Sequence, residues 1–322
     1  MSLNGVGRFQ RELERAWRAV RDQNVKKEKI MGKNLTTIVK SETQEVEINR
    51  DLPTVIIGEC INPTGRKKLQ EELQNGRFDI IRRDALAQVK AGAAMLDVNA
   101  GVPGMDEPKL LVELIKIVQE LTDVPFCIDT AKPKALEAAL RVYKGKPLVN
   151  SVNGEREKLS TILPVIKEYG AAVIGLTLDD EGVPKTVDKR LSIAGKIIEE
   201  ATRMGIPIED IVIDPLALAM GTEDKAGRWA LDTIEAVVRE FGVNITMGAS
   251  NISFGLPDRP SVNATFIAMA IRLGMTCPIT NPLNEQILTA IVGANLCMGR
   301  DEFASDWIRN YRKREKAKKQ TN

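Results

Sequence analysis

Eight short β-branched runs, each followed by a stretch of helical periodicity, predict a (β/α)8 TIM barrel spanning about 250 residues. Two further observations support that class. The runs lack polar alternation, as expected when both faces of a parallel sheet are covered. Run after run also ends in a carboxylate or a carboxamide, which suits strands whose C-terminal ends build one mouth.

Residues 1–50 precede this rhythm as an N-terminal extension. The segment RFQRELERAWRAVRDQ (8–23) places Phe9, Leu13, Trp17 and Val20 on one helical face. TTIVKSETQEVEI then alternates like a hairpin or lid strand over one end of the main domain. The barrel proper is expected over 51–305. Its strands are VIIGEC (55–60), AMLDVNA (94–100), PFCIDT (125–130), PLVNSVN (147–153), AVIGLTLD (172–179), DIVIDPL (210–216), NITMGAS (244–250) and TCPITNP (276–282). Between them, segments such as 106–122 and 190–205 carry apolar residues at helical spacing. Residues 306–322 form a basic C-terminal tail, read as a solvated helix end. A doubly wound open sheet is the runner-up. It would bring a glycine-rich phosphate turn after the first strand, and GECINPTGRKK is not one.

The net charge of +2 gives no footprint for nucleic acid, and no apolar run approaches membrane-spanning length. Cys60, Cys127, Cys277 and Cys297 lie far apart without metal-ligand spacing, and three of them sit in apolar strand-like runs, so buried, reduced thiols in the cytoplasm are expected. No histidine occurs anywhere in the chain. Ser-His-Asp, Cys-His and HExxH chemistry is thereby excluded, and proton handling falls to carboxyls, water and amides.

On a barrel the polar tips converge: Glu59 and Asn62, Asp97 and Asn99, Asp129, Asn150 and Asn153, Asp179 and Asp180, Asp214, then Ser250 and Asn251. This set is poor in cations for phosphate and suits a neutral heterocycle, whose amidine-like edge donates two parallel N–H groups to a carboxylate. A Mg²⁺ or Ca²⁺ site is the competing reading, disfavoured because the acids are spread one per strand. Each residue also has a plainer role. Asp129 at a strand–helix junction suits an N-cap, Asp214 before Pro215 suits a turn, and Asn251, Asn99 and Asn153 suit loops bonded to their own backbone.

The motifs GECINPTG, CIDTAKP, LVNSVNGEREK, VIGLTLDDEGVPKT, VIDPL and GASNISFGLP resemble the pterin-binding methyltransferases. These are the methyltetrahydrofolate:corrinoid-protein methyltransferases and the folate module of cobalamin-dependent methionine synthase. The resemblance covers the barrel and leaves the first fifty residues outside. It implies methyl transfer between methyltetrahydrofolate and the cobalt of a corrinoid (cobalamin) on a partner protein, in a homodimer with no metal of its own. Carried over residue by residue, Asp129, Asn150 and Asp214 hold the pterin. Asn251 sits beside the methyl-bearing nitrogen, with Gly248 and Ser250 lining its loop. Glu59, Asn62, Asp97 and Asn153 complete the substrate-binding set, and Asn251 and Asp214 are the catalytic expectation. The chain departs from the pattern at Cys60, where the family's first-strand motif has arginine, and at Phe254, where some members carry glutamine. Dihydropteroate synthase shares the barrel, but its N-x-TPDSF loop and Arg-x-His are absent here. A catalytically silent pterin-binding subunit and a metal-dependent barrel lyase are the remaining alternatives.

Overall fold

The computed structural model describes residues 34–321. The amphipathic segment 8–23 lies outside the described residues.

A short hairpin comes first, β1 (Thr37–Lys40) paired antiparallel with β2 (Glu45–Ile48). Eight strands then close a parallel barrel: β3 (Ile57–Ile61), β4 (Met95–Asn99), β5 (Phe126–Asp129), β6 (Leu148–Asn153), β7 (Ala172–Leu176), β8 (Ile211–Asp214), β9 (Asn244–Gly248) and β10 (Cys277–Thr280). Each lies inside its expected run or overshoots it by one residue.

The outer ring consists of α1 (Lys67–Gln74), α2 (Asp79–Ala91), α3 (Glu107–Gln119), α4 (Pro133–Val142), α5 (Arg156–Tyr169), α6 (Val187–Arg203), α7 (Ala226–Phe241), α8 (Arg259–Leu273) and α9 (Glu285–Cys297), with α10 (Ser305–Thr321) after it. α3 starts where expected, because the Asp106 carboxylate accepts the Lys109 amide as an N-cap. α6 starts three residues before the expected Arg190, since Thr186 caps it by accepting from Lys189. The basic tail is helical, and its first turn is held by Asp301, which accepts the Asp306 and Trp307 amides at 2.9 Å. Among the described residues, no helix is long and apolar enough to cross a membrane.

The hairpin answers the question of which end it covers. Lys40 bridges to Lys146, the Thr37 hydroxyl donates to the Glu209 carbonyl, and the Asn244 amide donates to the carbonyls of Leu35 and Ile48. Lys146, Glu209 and Asn244 all stand at strand beginnings. The hairpin is therefore a plug at the N-terminal end, opposite the mouth. Its Val39, Val46 and Ile48 join Ile57, Met95, Leu148, Ile174, Val212 and Ile279 in one interior cluster. A larger cluster lies between strands and helices. Cys127 and Cys277 are buried as expected, Cys60 is half-buried at a strand end, and Cys297 is exposed on α9.

Candidate active site

Parallel register fixes which tips meet. Asn99, Asp129 and Asn150 form one row across β4, β5 and β6, with Asp97 level with Cys127 two residues lower. Residues two apart on a strand face the same side, so Asp97 forms a floor beneath this rim. The Asn99 amide donates to Asp129 Oδ2 at 2.9 Å, and the Asn150 amide donates to Asp97 Oδ1 at 3.4 Å. β6 carries a register irregularity between Asn150 and Val152, and its Asn150–Ser151 peptide is cis.

Burial governs the charges here. It pushes Asp129 up to about 6, partly opposed by the Asn99 hydrogen bond. Asp97, deeper and facing Asp129, is raised well above the ordinary carboxylate range by burial and by that neighbouring charge. Burial thus favours the proton-bearing form of Asp97 at the floor, while the Asp129 carboxylate at the rim accepts the Asn99 amide.

Across the mouth, burial also lifts Asp214 to about 6, opposed by the Leu216 and Gly248 amides and by Arg190. Asp214 Oδ1 accepts the Leu216 N–H at 2.7 Å. The buried Cys277 thiol near it is pushed up to about 12 and stays protonated.

The third wall is the stretch after β9, a 3₁₀ turn over Ala249–Ser253. The Ser250 hydroxyl donates to Glu59 Oε1 at 2.9 Å, tying strand β9 to β3. Arg259 holds the turn from outside, donating to the Ser250 carbonyl at 2.7 Å and the Ser253 hydroxyl at 3.1 Å, and lies 5.6 Å from the Phe254 ring centre. Asn251 is exposed, and its carboxamide makes no hydrogen bond among the described residues. A Cβ on Gly248 would stand 3.1 Å from the Asn251 amide nitrogen, so glycine leaves that amide its space.

Several expectations change in detail. Asp129 does not cap the following helix; α4 begins at Pro133, its N-cap position is Lys132 with no side-chain cap, and Asp129 faces Asn99 instead. Asp214 does serve its turn through Leu216. Asn62, Asn153 and Asp179 spend an oxygen on the backbone amide two residues ahead, as turn residues do. Asp179 is further paired with Lys189 at 3.2 Å, while Asn153 donates to Glu155. Asp180 is exposed on the same loop. These four acids and amides edge the mouth rather than converge with the Asp97–Asp129–Asn150 cluster.

Two cations escaped the sequence reading. Arg66 donates to the Cys60 carbonyl and pairs with Asp84 at 2.6 Å, so a guanidinium stands at the strand end where Cys60 replaces arginine. Arg190, on α6, is completely buried. Its signal was legible: Arg190, Ile193, Ala194 and Ile197 fall on one apolar helical face, an odd place for a cation.

A closed parallel barrel whose mouth gathers carboxyls and carboxamides has the donor set of an enzyme for a flat nitrogen heterocycle. The family model described as pterin binding enzyme matches residues 58–281. A methylcorrinoid:tetrahydrofolate methyltransferase of Eubacterium limosum is 32% identical over 264 residues, covering 80% of this chain and 96% of the relative. Methionine synthase of Mycobacterium tuberculosis is 28% identical over 256 residues, covering 76% of this chain and 22% of that longer protein. Among solved structures, a dihydropteroate synthase from Xanthomonas albilineans in complex with 7,8-dihydropteroate superposes with a TM-score of 0.64 at 18% identity, covering 81% of this chain and 98% of the other. A 7,8-dihydropteroate synthase from Vibrio fischeri gives 0.61 at 18%, covering 82% and 99%. At that identity the likeness is one of fold.

The chain belongs to the pterin-binding methyltransferase family.

Proposed function

We propose that this protein moves a methyl group between N5 of tetrahydrofolate and the cobalt of a corrinoid carried by a separate protein. The observation that carries the reading is the 32% identity, across 96% of its length, with a methylcorrinoid:tetrahydrofolate methyltransferase. The gathering of Asp97, Asn99, Asp129 and Asn150 around one mouth supports it. In this reading Asp129, Asn150 and Asp214 hold the pterin. An ionised Asp129 or Asp214 accepts the paired N–H donors of the amidine-like edge, and Asn150 matches a mixed donor–acceptor edge. Gly248 and Ser250 line the nitrogen side, and Glu59 steadies Ser250.

The chemical difficulty lies at N5. Toward the folate, the N5 lone pair attacks the methyl carbon, the cobalt–carbon electrons remain on cobalt as cobalt(I), and N5 becomes a protonated tertiary amine that sheds its proton. In reverse, cobalt(I) attacks the methyl, and the C–N electrons return to a nitrogen that must carry a proton to leave. Asn251 offers an acceptor oxygen for the N5–H⁺ and a donor for the neutral nitrogen, so one carboxamide serves both directions. The Asn251 amide is unpaired, while its neighbour Ser250 takes the carboxylate. Successive residues of a 3₁₀ turn point about 120° apart, so only one of them reaches Glu59.

The same resemblance implies a homodimer, which sedimentation would register as twice the chain mass. The decisive experiment mixes the protein, methyltetrahydrofolate and cobalt(I) cobalamin without oxygen. Decay of the cobalt(I) absorbance with growth of methylcobalamin is expected. An unchanged spectrum with fresh substrate would overturn the proposal.

A further inference from the structure

Arg190 is 0% exposed and, among the described residues, pairs with no carboxylate. Burying a guanidinium without a counter-ion is costly, and burial accordingly lowers its pKa. Its hydrogen bonds show where that cost is offset. Nε donates to the Pro184 carbonyl at 2.9 Å, and Nη1 donates to the carbonyls of Pro215 at 2.7 Å and Leu216 at 3.0 Å. A helix residue thus ties the loop after β7 to the loop after β8. Leu216 is held at a φ of 64°, a left-handed conformation that a branched side chain adopts only under constraint. In that conformation its N–H points back at Asp214 Oδ1.

We propose that Arg190 is a positioning residue for the pterin site: by clamping the Pro215 and Leu216 carbonyls it holds Leu216 left-handed and aims its amide at Asp214. The guanidinium makes no hydrogen bond to the carboxylate and acts through the loop. This rests on the reading of Asp214 as a pterin ligand. A lysine in its place keeps a charge on one atom but lacks the planar fork that spans three carbonyls.

The groups whose charge reaches Asp214 are Arg190 from α6 and the Cys277 thiol from β10, and Cys277 is protonated throughout the accessible range. Asp214 titration is therefore readable. Removing Arg190 takes away a nearby cation and loosens the Leu216 amide, and both changes raise the Asp214 pKa.

The test measures tetrahydrofolate affinity against pH for the wild type, Arg190→Lys and Arg190→Met. Arg190→Met is expected to bind about tenfold more weakly near neutral pH, the scale of one hydrogen bond to a charged group, with the pH midpoint of binding moved upward. Arg190→Lys is expected between the two, with a smaller midpoint shift in the same direction. Should Arg190→Met fail to fold, Arg190→Lys and its double variant with Leu216→Gly carry the test. Glycine adopts a positive φ unaided, so the double variant should regain part of the lost affinity. Folded variants with wild-type affinity and midpoint, even at lowered melting temperature, would overturn the proposal. A wild type that binds no tetrahydrofolate at any pH would instead sink the functional reading.

Discussion

The Asn99 amide donates to Asp129 Oδ2 at 2.9 Å, and the two residues stand level on adjacent parallel strands. This bond holds the Asp129 carboxylate in one orientation and moderates the rise that burial imposes on its pKa. Asn99→Ala should therefore weaken tetrahydrofolate binding about tenfold and move the lower pH limit of binding upward from about 6. Isothermal titration across pH 5–8 reads both. An unchanged limit would show that Asn99 merely shapes its own loop through Gly101.

On the proposed role of Asp214 as a pterin ligand, binding and stability should respond to it in opposite directions. Its pKa is about 6 in the folded protein against an ordinary 3.8, so the folded state holds this proton more tightly than the unfolded chain does. The stability it contributes is full below pH 3.8 and is lost as pH rises toward 6. Asp214→Asn removes that burden, so the ligand-free variant should gain on the order of 1–2 kcal/mol near neutral pH. The gain should vanish by about pH 4, while tetrahydrofolate binding falls sharply. Urea melts at the two pH values, with binding measured alongside, check the pair of outcomes.

The barrel was legible because a parallel strand covered on both faces reads as a short apolar run, and each of the eight strands here is one, with at least one β-branched residue. The site was legible only in part, for a physical reason. Asn and Asp at a strand end serve equally well as ligands and as acceptors for the amide two residues on. Asp129 and Asn153 look alike in sequence; one meets a carboxamide across the sheet and the other closes its own loop. Parallel register separates them, and register is a property of pairing rather than of one strand. Arg66 lies in the loop after β3 and Arg190 on a helix, off the strands themselves, so a reading of strand tips passes over both.

Asn251 carries the prediction closest to chemistry. Its amide is exposed and unpaired among the described residues, so replacing it breaks no packing. Asn251→Ala should lower kcat by about 10²–10³, the value of one preorganised donor, while leaving the tetrahydrofolate Kd within about twofold. Single-turnover measurement with cobalt(I) cobalamin separates the two quantities. A variant that loses affinity and keeps its rate would reassign Asn251 to binding.

The hairpin plug should affect stability alone. Ile48 is fully buried in the interior cluster at the end of the barrel opposite Asp129 and Asp214. Ile48→Ala removes a fully buried branched side chain from the interior cluster and leaves a cavity there, costing about 2–4 kcal/mol. Because β1 and β2 touch strand beginnings and the proposed pterin ligands stand at strand ends, the KM for tetrahydrofolate should not move. Chemical denaturation and steady-state kinetics on the same preparation test this. A rise in KM would mean that the interior transmits strain along the strands from the plugged end to the mouth.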